Sequence, residues 1–151
     1  MTLQATRPTP AGWPRISSSL AYQDPVRAID WLVSAFGFSV RIKVPDGSGG
    51  IMHSELTFGE AVVMVAGEHS QGASAARSPK SLNGATTQGL FVYVDDIEAH
   101  YTRALAAGAV VVRELATTDY GPDHWTDRGY AVLDPEGQSW HFAQRLRTGA
   151  A

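Results

Sequence analysis

The chain nearly repeats itself after 71 residues, and no other feature of the sequence constrains its fold as strongly. Residues 24–38 align without a gap on residues 95–109, and each copy has an Asp, a helical pattern and a Gly in corresponding places. Residues 56–64 and 133–141 also correspond, at a slightly larger offset. This self-similarity predicts two copies of one supersecondary unit. Two such units packed face to face would make a cup, and a function is to be sought among the residues that line it.

Each copy is predicted to contain a strand, a helix and three further strands. In the first copy, Asp24 can cap a helix that has Pro25 at its first position and ends at Gly37. In the second copy, Asp95 or Asp96 can cap a helix over residues 97–107. Apolar alternation and turn residues predict strands at 15–22, 38–44, 51–58, 61–66, 89–94, 109–115, 129–133 and 139–144.

Two segments of the second copy are predicted to lie outside strands. Residues 117–128 are expected to form an irregular loop, and residues 134–137 to form a turn whose carboxylates are in solvent. The predicted fold class is α+β, with two βαβββ modules that form a cupped mixed sheet. The predicted organisation is a flexible arm at 1–14, a first module at 15–66, a linker at 67–87, a second module at 88–146 and a tail at 147–151.

The composition excludes several classes of function. The chain has 151 residues, of which 44% are apolar, and this is enough for a real core. Its net charge is only −3 and its charges are interspersed, so neither a nucleic-acid partner nor a membrane partner is expected. The absence of cysteine excludes disulfides and thiolate chemistry. No apolar run approaches the roughly 20 residues of a membrane span, so a cytoplasmic protein is expected.

The duplicated order resembles the vicinal oxygen chelate superfamily, which includes glyoxalase I, bleomycin-resistance proteins, fosfomycin-resistance enzymes and extradiol dioxygenases. The resemblance extends from about residue 15 to residue 145 and is most specific at 28–38, at Tyr120-Gly121 and at 134–140. Residues 51–56 are similar to the PhnB-like branch of glyoxalase relatives. The resemblance implies a glyoxalase-like fold and a homodimer. It leaves the chemistry open, because one fold hosts isomerases, transferases, dioxygenases and drug-binding proteins.

The resemblance also implies where a metal ion would bind. Metal enzymes of this superfamily take one ligand from the first strand and one from the last strand of each module, and these positions correspond to Ser17, Met64, Gln88 and His141. The family pattern has His, Glu or Gln at all four. Here only His141 is a good ligand and Gln88 a possible one, since a thioether is too soft for the ions concerned. We therefore predict that this chain has no metal site and no cofactor.

Two further pairs of residues are candidates for the lining of the cup. His53 and Glu55 lie two apart on one strand and share a face, which is either the cup or the exposed outer face. His124 and Trp125 are extra residues in the predicted loop compared with the relatives. Trp125 is either a stacking wall for a flat ligand or a residue that packs on its own subunit or on a partner.

The favoured function is metal-independent binding of a small organic molecule, a drug or a metabolite, in the cup. The expected ligand-binding residues are Ser17, Met64, Gln88, His124, Trp125 and His141. The alternative is a lyase, isomerase or dioxygenase-type enzyme, with or without a divalent metal, in which His141, His53 and Glu55 are catalytic. A third possibility is a regulatory domain whose cup has no ligand. The expected partners are a small organic ligand and a second copy of the chain.

Overall fold

The computed structural model describes residue 5 and residues 7–69 and 75–149. The predicted arm, linker and tail therefore lie partly outside the described residues. The elements, in chain order, are β1 (Ser18–Tyr22), α1 (Pro25–Phe36), β2 (Ser39–Pro45), β3 (Ile51–Phe58), β4 (Ala61–Gly67), a short 3-10 helix (Pro79–Leu82), β5 (Gly89–Tyr93), α2 (Ile97–Ala106), β6 (Val110–Asp119), β7 (Trp125–Leu133) and β8 (Ser139–Thr148). The order βαβββ occurs twice, which confirms the predicted fold class.

The two modules have the same sheet topology. The strand order is β1-β4-β3-β2 in the first sheet and β5-β8-β7-β6 in the second. In each sheet the first and last strands of the module pair in parallel, and the other pairs are antiparallel. None of the helices in the described part of the chain is long and apolar enough to cross a membrane.

The helix ends confirm the predictions from the capping residues. The Asp24 side chain accepts a hydrogen bond from the Arg27 backbone N–H at 3.0 Å, and α1 ends at Gly37, which has a φ of 82°. A left-handed residue of this kind ends a helix at little cost only if it lacks a Cβ. At the second helix the cap is Asp96, whose side chain accepts from the Ala99 backbone N–H.

Both helices lie between the two sheets. Phe36 of α1 packs against Trp140 and Phe142 of β8, with ring centroids 5.3 and 4.6 Å apart. Conversely, His100 of α2 lies against Phe58 of β3 at 6.3 Å. The helix-covered faces of both sheets therefore share one core. The reason is that most of the buried large apolar side chains of both sheets are on these faces, and their burial is the main favourable term in folding.

The other face of each sheet points away from this core, and we name these surfaces the first cup face and the second cup face. The first cup face is the surface of β1, β4, β3 and β2 that carries Met64 and Glu55, which are neighbours in register. The second is the surface of β5, β8, β7 and β6 that carries Phe91 and His141. Within one chain the modules thus pack through their helix-covered faces, in contrast to the expected face-to-face cup.

The prediction of an irregular loop at residues 117–128 is wrong. Strand β6 continues to Asp119 and β7 begins at Trp125, so only a short connection separates them. The last strand likewise continues past its predicted end at Gln144 to Thr148. The mixed polar and aromatic composition hid these strands, which are held together by the continued β6–β7 and β7–β8 ladders.

The prediction that the carboxylates of the turn at 134–137 are in solvent is also wrong. Asp134 is only 3% exposed and accepts hydrogen bonds from the Tyr22 hydroxyl at 2.6 Å and from the Trp140 indole N–H at 3.1 Å. Tyr22 belongs to the first module and Trp140 to the second. Because a buried polar group must be hydrogen-bonded, Asp134 joins the two modules.

Glu136, in the same turn, is buried at the start of α1. Its two carboxylate oxygens accept from the backbone N–H groups of Gln23 and Asp24, at 2.7 and 2.9 Å. The Ser78 hydroxyl, just before the 3-10 helix, donates to the same carboxylate at 2.6 Å. N–H groups at a helix start otherwise lack partners, and a negative charge is favourable there. The turn therefore has a structural role.

Candidate functional site on the second cup face

One row of side chains crosses the second cup face from edge to edge. The strand register aligns Phe91 with His141, His141 with Ala131, and Ala131 with Arg113. Phe91 and His141 lie with ring centroids 5.1 Å apart at an angle of 31°. Residues paired in this way lie on the same face of a sheet. The row thus places an aromatic ring, an imidazole and a guanidinium beside one another.

His141 is in contact with a positive charge rather than with a carboxylate. The Arg113 guanidinium donates a hydrogen bond to Nε2 of His141. Because an arginine has no acceptor, Nε2 accepts, and the imidazole is neutral with its proton on Nδ1. Partial burial and, after it, the charge of Arg113 lower the pKa of His141 below its ordinary value. His141 can therefore serve as a neutral hydrogen-bonding group at physiological pH.

A second set of aromatic side chains lies beside this row. Phe91 and Tyr93 have ring centroids 5.2 Å apart. The Arg145 guanidinium lies over the Tyr93 ring at 5.1 Å and over the Trp125 ring at 5.0 Å, and it forms an ion pair with buried Asp127. Phe91, Tyr93 and Trp125 remain 54%, 48% and 41% exposed. The face thus presents several aromatic rings to solvent.

Trp125 lies in a strand rather than in the predicted loop, whereas His124 lies in a connection between strands, as expected. Trp125 is the first residue of β7 and contributes to the second cup face through its stack on Arg145. His124 lies in the short connection before it and packs against the Trp125 ring at 5.9 Å. His124 is exposed and makes no contact with His141 among those the structure records.

His53 and Glu55 lie on the first cup face, which answers the question that the sequence left open. Glu55 is the register partner of Met64, and its Oε1 lies 3.1 Å from Nε2 of His53. The Arg41 guanidinium donates to the other carboxylate oxygen at 2.7 Å. The hydrogen bond from His53, and then that from Arg41, hold the pKa of Glu55 below its ordinary value although burial opposes them.

Part of the predicted arm lies against this first cup face. The carbonyl of Gly12 accepts a hydrogen bond from the Arg41 guanidinium at 2.5 Å, and the Trp13 ring lies 4.8 Å from the same guanidinium. Residues 9–14 line one groove together with Thr57 and Val62 of the sheet. The first cup face is therefore partly covered within the chain, whereas the aromatic side chains of the second are exposed.

Ser17 and Gln88 lie where the first strand of each module starts. They immediately precede β1 and β5. The Ser17 hydroxyl oxygen is buried and has no hydrogen-bond partner in the described part of the chain. The Oε1 atom of Gln88 accepts a hydrogen bond from the Ser18 hydroxyl at 3.2 Å.

The four family positions do not fit a metal ion within one chain. Met64 and His141 lie on the outward faces of different sheets. The Nε2 atom of His141 is engaged by the Arg113 guanidinium, whose charge would repel a cation. Among residues 5, 7–69 and 75–149, no group of three or more His, Asp or Glu side chains is arranged to hold one.

Sequence reasoning did not assign Phe91, Tyr93, Arg113 or Arg145 to the second cup face. The alternation of β5 carried a signal for Phe91 and Tyr93, because Leu90 and Val92 between them face the core. No comparable signal identified Arg113. The register of β6 and β7 shifts between Val111 and Arg113, and this shift changes the face that Arg113 occupies.

Comparisons with known proteins agree with this fold. The family model described as Glyoxalase/Bleomycin resistance protein/Dioxygenase superfamily matches residues 15–142. Uncharacterized proteins of Mycobacterium bovis and Mycobacterium tuberculosis are 33% identical over 135 residues, which cover 89% of this chain and 85% and 76% of theirs.

Solved structures are similar over most of the chain as well. TioX from Micromonospora sp. ML1 is 34% identical, with a TM-score of 0.69, and the match covers 88% of this chain and 99% of TioX. A glyoxalase/bleomycin resistance protein from Streptomyces sp. CB03234 is 19% identical, with a TM-score of 0.61, and covers 85% of this chain and 97% of its own. At that identity the likeness concerns the fold alone.

Proposed function

This chain belongs to the glyoxalase/bleomycin resistance protein/dioxygenase superfamily, and from that premise we propose that it binds a small, flat organic molecule on the second cup face without a metal ion. The observation that carries the proposal is the exposure of Phe91, Tyr93 and Trp125 on one face, beside the polar His141. Contiguous exposed aromatic surface in a folded protein commonly marks a binding site. A few polar groups among apolar ones are typical of small-molecule sites.

The proposed roles follow from these contacts. Phe91 and Tyr93 offer ring faces for stacking, and Trp125 extends the surface at the far side of Arg145. His141 supplies a directional hydrogen bond, as expected from the sequence. The narrower similarity of residues 51–56 to the PhnB-like branch stays a prediction.

We further propose that a second copy of the chain completes the site. Met64 lies on the first cup face and His141 on the second, and the two faces point away from a shared core. The first face of one copy lying over the second face of another would bring Met64 of one copy towards His141 of the other. It would also cover the exposed aromatic side chains.

A matched set of naphthalene probes tests the binding function. The set consists of 2-naphthamide, 2-naphthoate and 2-naphthylmethylammonium, which share one ring system and differ in charge. We expect at least one of them to bind in isothermal titration calorimetry. We expect Phe91→Ala to weaken that binding. The control is Phe58→Ala, a change on the helix-covered face, which should leave the affinity for the probe unchanged once its folding is verified. Absence of binding by all three probes would refute the proposal.

An enzyme remains the second candidate, because His53 and Glu55 form a hydrogen-bonded pair on the first cup face. Such a pair can move a proton next to a carbonyl group. The lowered pKa of Glu55 makes it a weaker base, which favours binding without chemistry. The test is exchange of the methyl protons of 2-acetonaphthone in D2O, followed by NMR. Exchange that depends on the protein and disappears in Glu55→Gln would establish the enzyme.

A further inference from the structure

We propose that the ligand of the second cup face is an aromatic carboxylate, whose negative charge is bound by Arg113. This inference rests on the proposed function and adds the charge of the ligand to it. Its basis is the position of Arg113, which lies in the same cross-strand row as Phe91 and His141.

Arg113 is the cation of this face that lacks an acidic partner. Arg145 forms an ion pair with Asp127, and Arg147 forms one with Asp119 at 2.9 Å. The structure records no salt bridge for Arg113 within residues 7–69 and 75–149, and its one recorded hydrogen bond goes to neutral His141. The chain as a whole has a net charge of −3, so this local excess of positive charge runs against its overall balance.

A β-bulge turns Arg113 towards the second cup face. Val111 pairs with Val132, and Arg113 then pairs with the next residue, Ala131, so that β6 has one more residue than β7 at this point. Without the extra residue, Arg113 would share the face of Val111, which packs towards the core. Bulges occur often beside functional sites, where they redirect a side chain.

The small side chain of Ala131 leaves space for this arrangement. Arg113 reaches across Ala131 to the His141 ring, which is itself 5.1 Å from the Phe91 ring. The guanidinium therefore lies close to the aromatic stacking surface. A neutral imidazole is a weaker partner for a guanidinium than a carboxylate, which accepts two parallel hydrogen bonds from it. A ligand whose ring stacks on Phe91 and whose carboxylate lies at the edge of that ring provides a partner for both Phe91 and Arg113.

The experiment compares 2-naphthoate with 2-naphthamide by calorimetry at neutral pH. The two probes have the same ring, and only the former is charged. We expect 2-naphthoate to bind roughly tenfold or more tightly, as a hydrogen bond to a charged group implies. Arg113→Gln should remove this preference, whereas Arg113→Lys should retain part of it.

Arg147→Gln is the matched control, because it removes an arginine of the same sheet that already has a carboxylate partner. It should leave the preference for 2-naphthoate intact. Equal binding of the two probes, or a preference that survives Arg113→Gln, would overturn the inference while the proposed binding function stands. If no probe binds, the proposed function fails and the inference fails with it.

Discussion

The hydrogen bond between Tyr22 and Asp134 gives a direct test of how the two modules are held together. The substitution Tyr22→Phe removes one hydroxyl group and keeps the ring, so it leaves the packing of the core nearly unchanged. Tyr22 and Asp134 are 1% and 3% exposed, so water cannot replace the lost donor easily. Burial, and then the charge of Asp134, raise the pKa of Tyr22 well above its ordinary value, so the hydroxyl is a donor at every pH at which the protein would be studied.

The expected loss of stability in Tyr22→Phe follows from the kind of hydrogen bond that is removed. A hydrogen bond to a charged group contributes about 1.5–3 kcal/mol, and we expect a decrease of about 2 kcal/mol in the free energy of unfolding. Asp134 keeps its bond from the Trp140 indole N–H and those from the backbone of its own turn, which limits the damage. For a chain of this length the loss corresponds to a decrease of about 4–8 °C in Tm.

The assay is urea unfolding followed by circular dichroism, with Tyr101→Phe as the control. Tyr101 also donates its hydroxyl hydrogen to a carboxylate, that of Glu114, but this contact is exposed to solvent. A change of less than about 0.5 kcal/mol is expected there, as for most surface substitutions. If Tyr22→Phe is no more destabilising than Tyr101→Phe, the idea that Asp134 joins the modules is wrong.

Three other predictions concern the candidate site. Light scattering at micromolar concentration should give the mass of a dimer, and a monomer would contradict the completion of the site by a second copy. NMR titration of His141 should give a pKa below its ordinary value of 6.5. The substitution Arg113→Gln should raise that pKa, because it removes a neighbouring positive charge. A pKa of His141 that does not change in Arg113→Gln would contradict the contact between the two side chains. Dialysis against a chelator should leave the affinity for 2-naphthoate unchanged, whereas a loss that one divalent ion restores would show that a metal takes part.

Those parts of the fold that depend on local sequence could be predicted. The duplication predicted two βαβββ modules, and Asp24 and Gly37 predicted the limits of the first helix, because capping depends on residues adjacent in the chain. The burial of Asp134 and Glu136 could not be predicted in this way. Their partners include Tyr22, Gln23 and Asp24, which lie more than a hundred residues earlier. The turn itself was therefore predicted correctly, but the burial of its carboxylates was not.

The site could be predicted less well than the fold, because its residues depend on the register of strands. Alternation showed that His53 and Glu55 share a face, and only the pairing of Glu55 with Met64 shows that it is the first cup face. His141 was predicted from the family position. The contact of His141 with Arg113 bears on whether an ion could bind there, and the family position alone does not show this contact.

The bulge in β6 shows why pattern reading fails at the most informative residue. Strand alternation assigns Val111 and Arg113 to one face, and a single extra residue reverses this assignment. The first module has a register shift at the matching place, between Val40 and Ile42, and the arginine within it, Arg41, contacts Glu55. A bulge therefore accompanies an arginine of the cup face in both modules, although Arg41 is itself the extra residue of its strand, whereas Arg113 follows the extra residue Val112. In the first module a carboxylate of the chain binds that arginine, and in the second the corresponding partner is left for a ligand to supply.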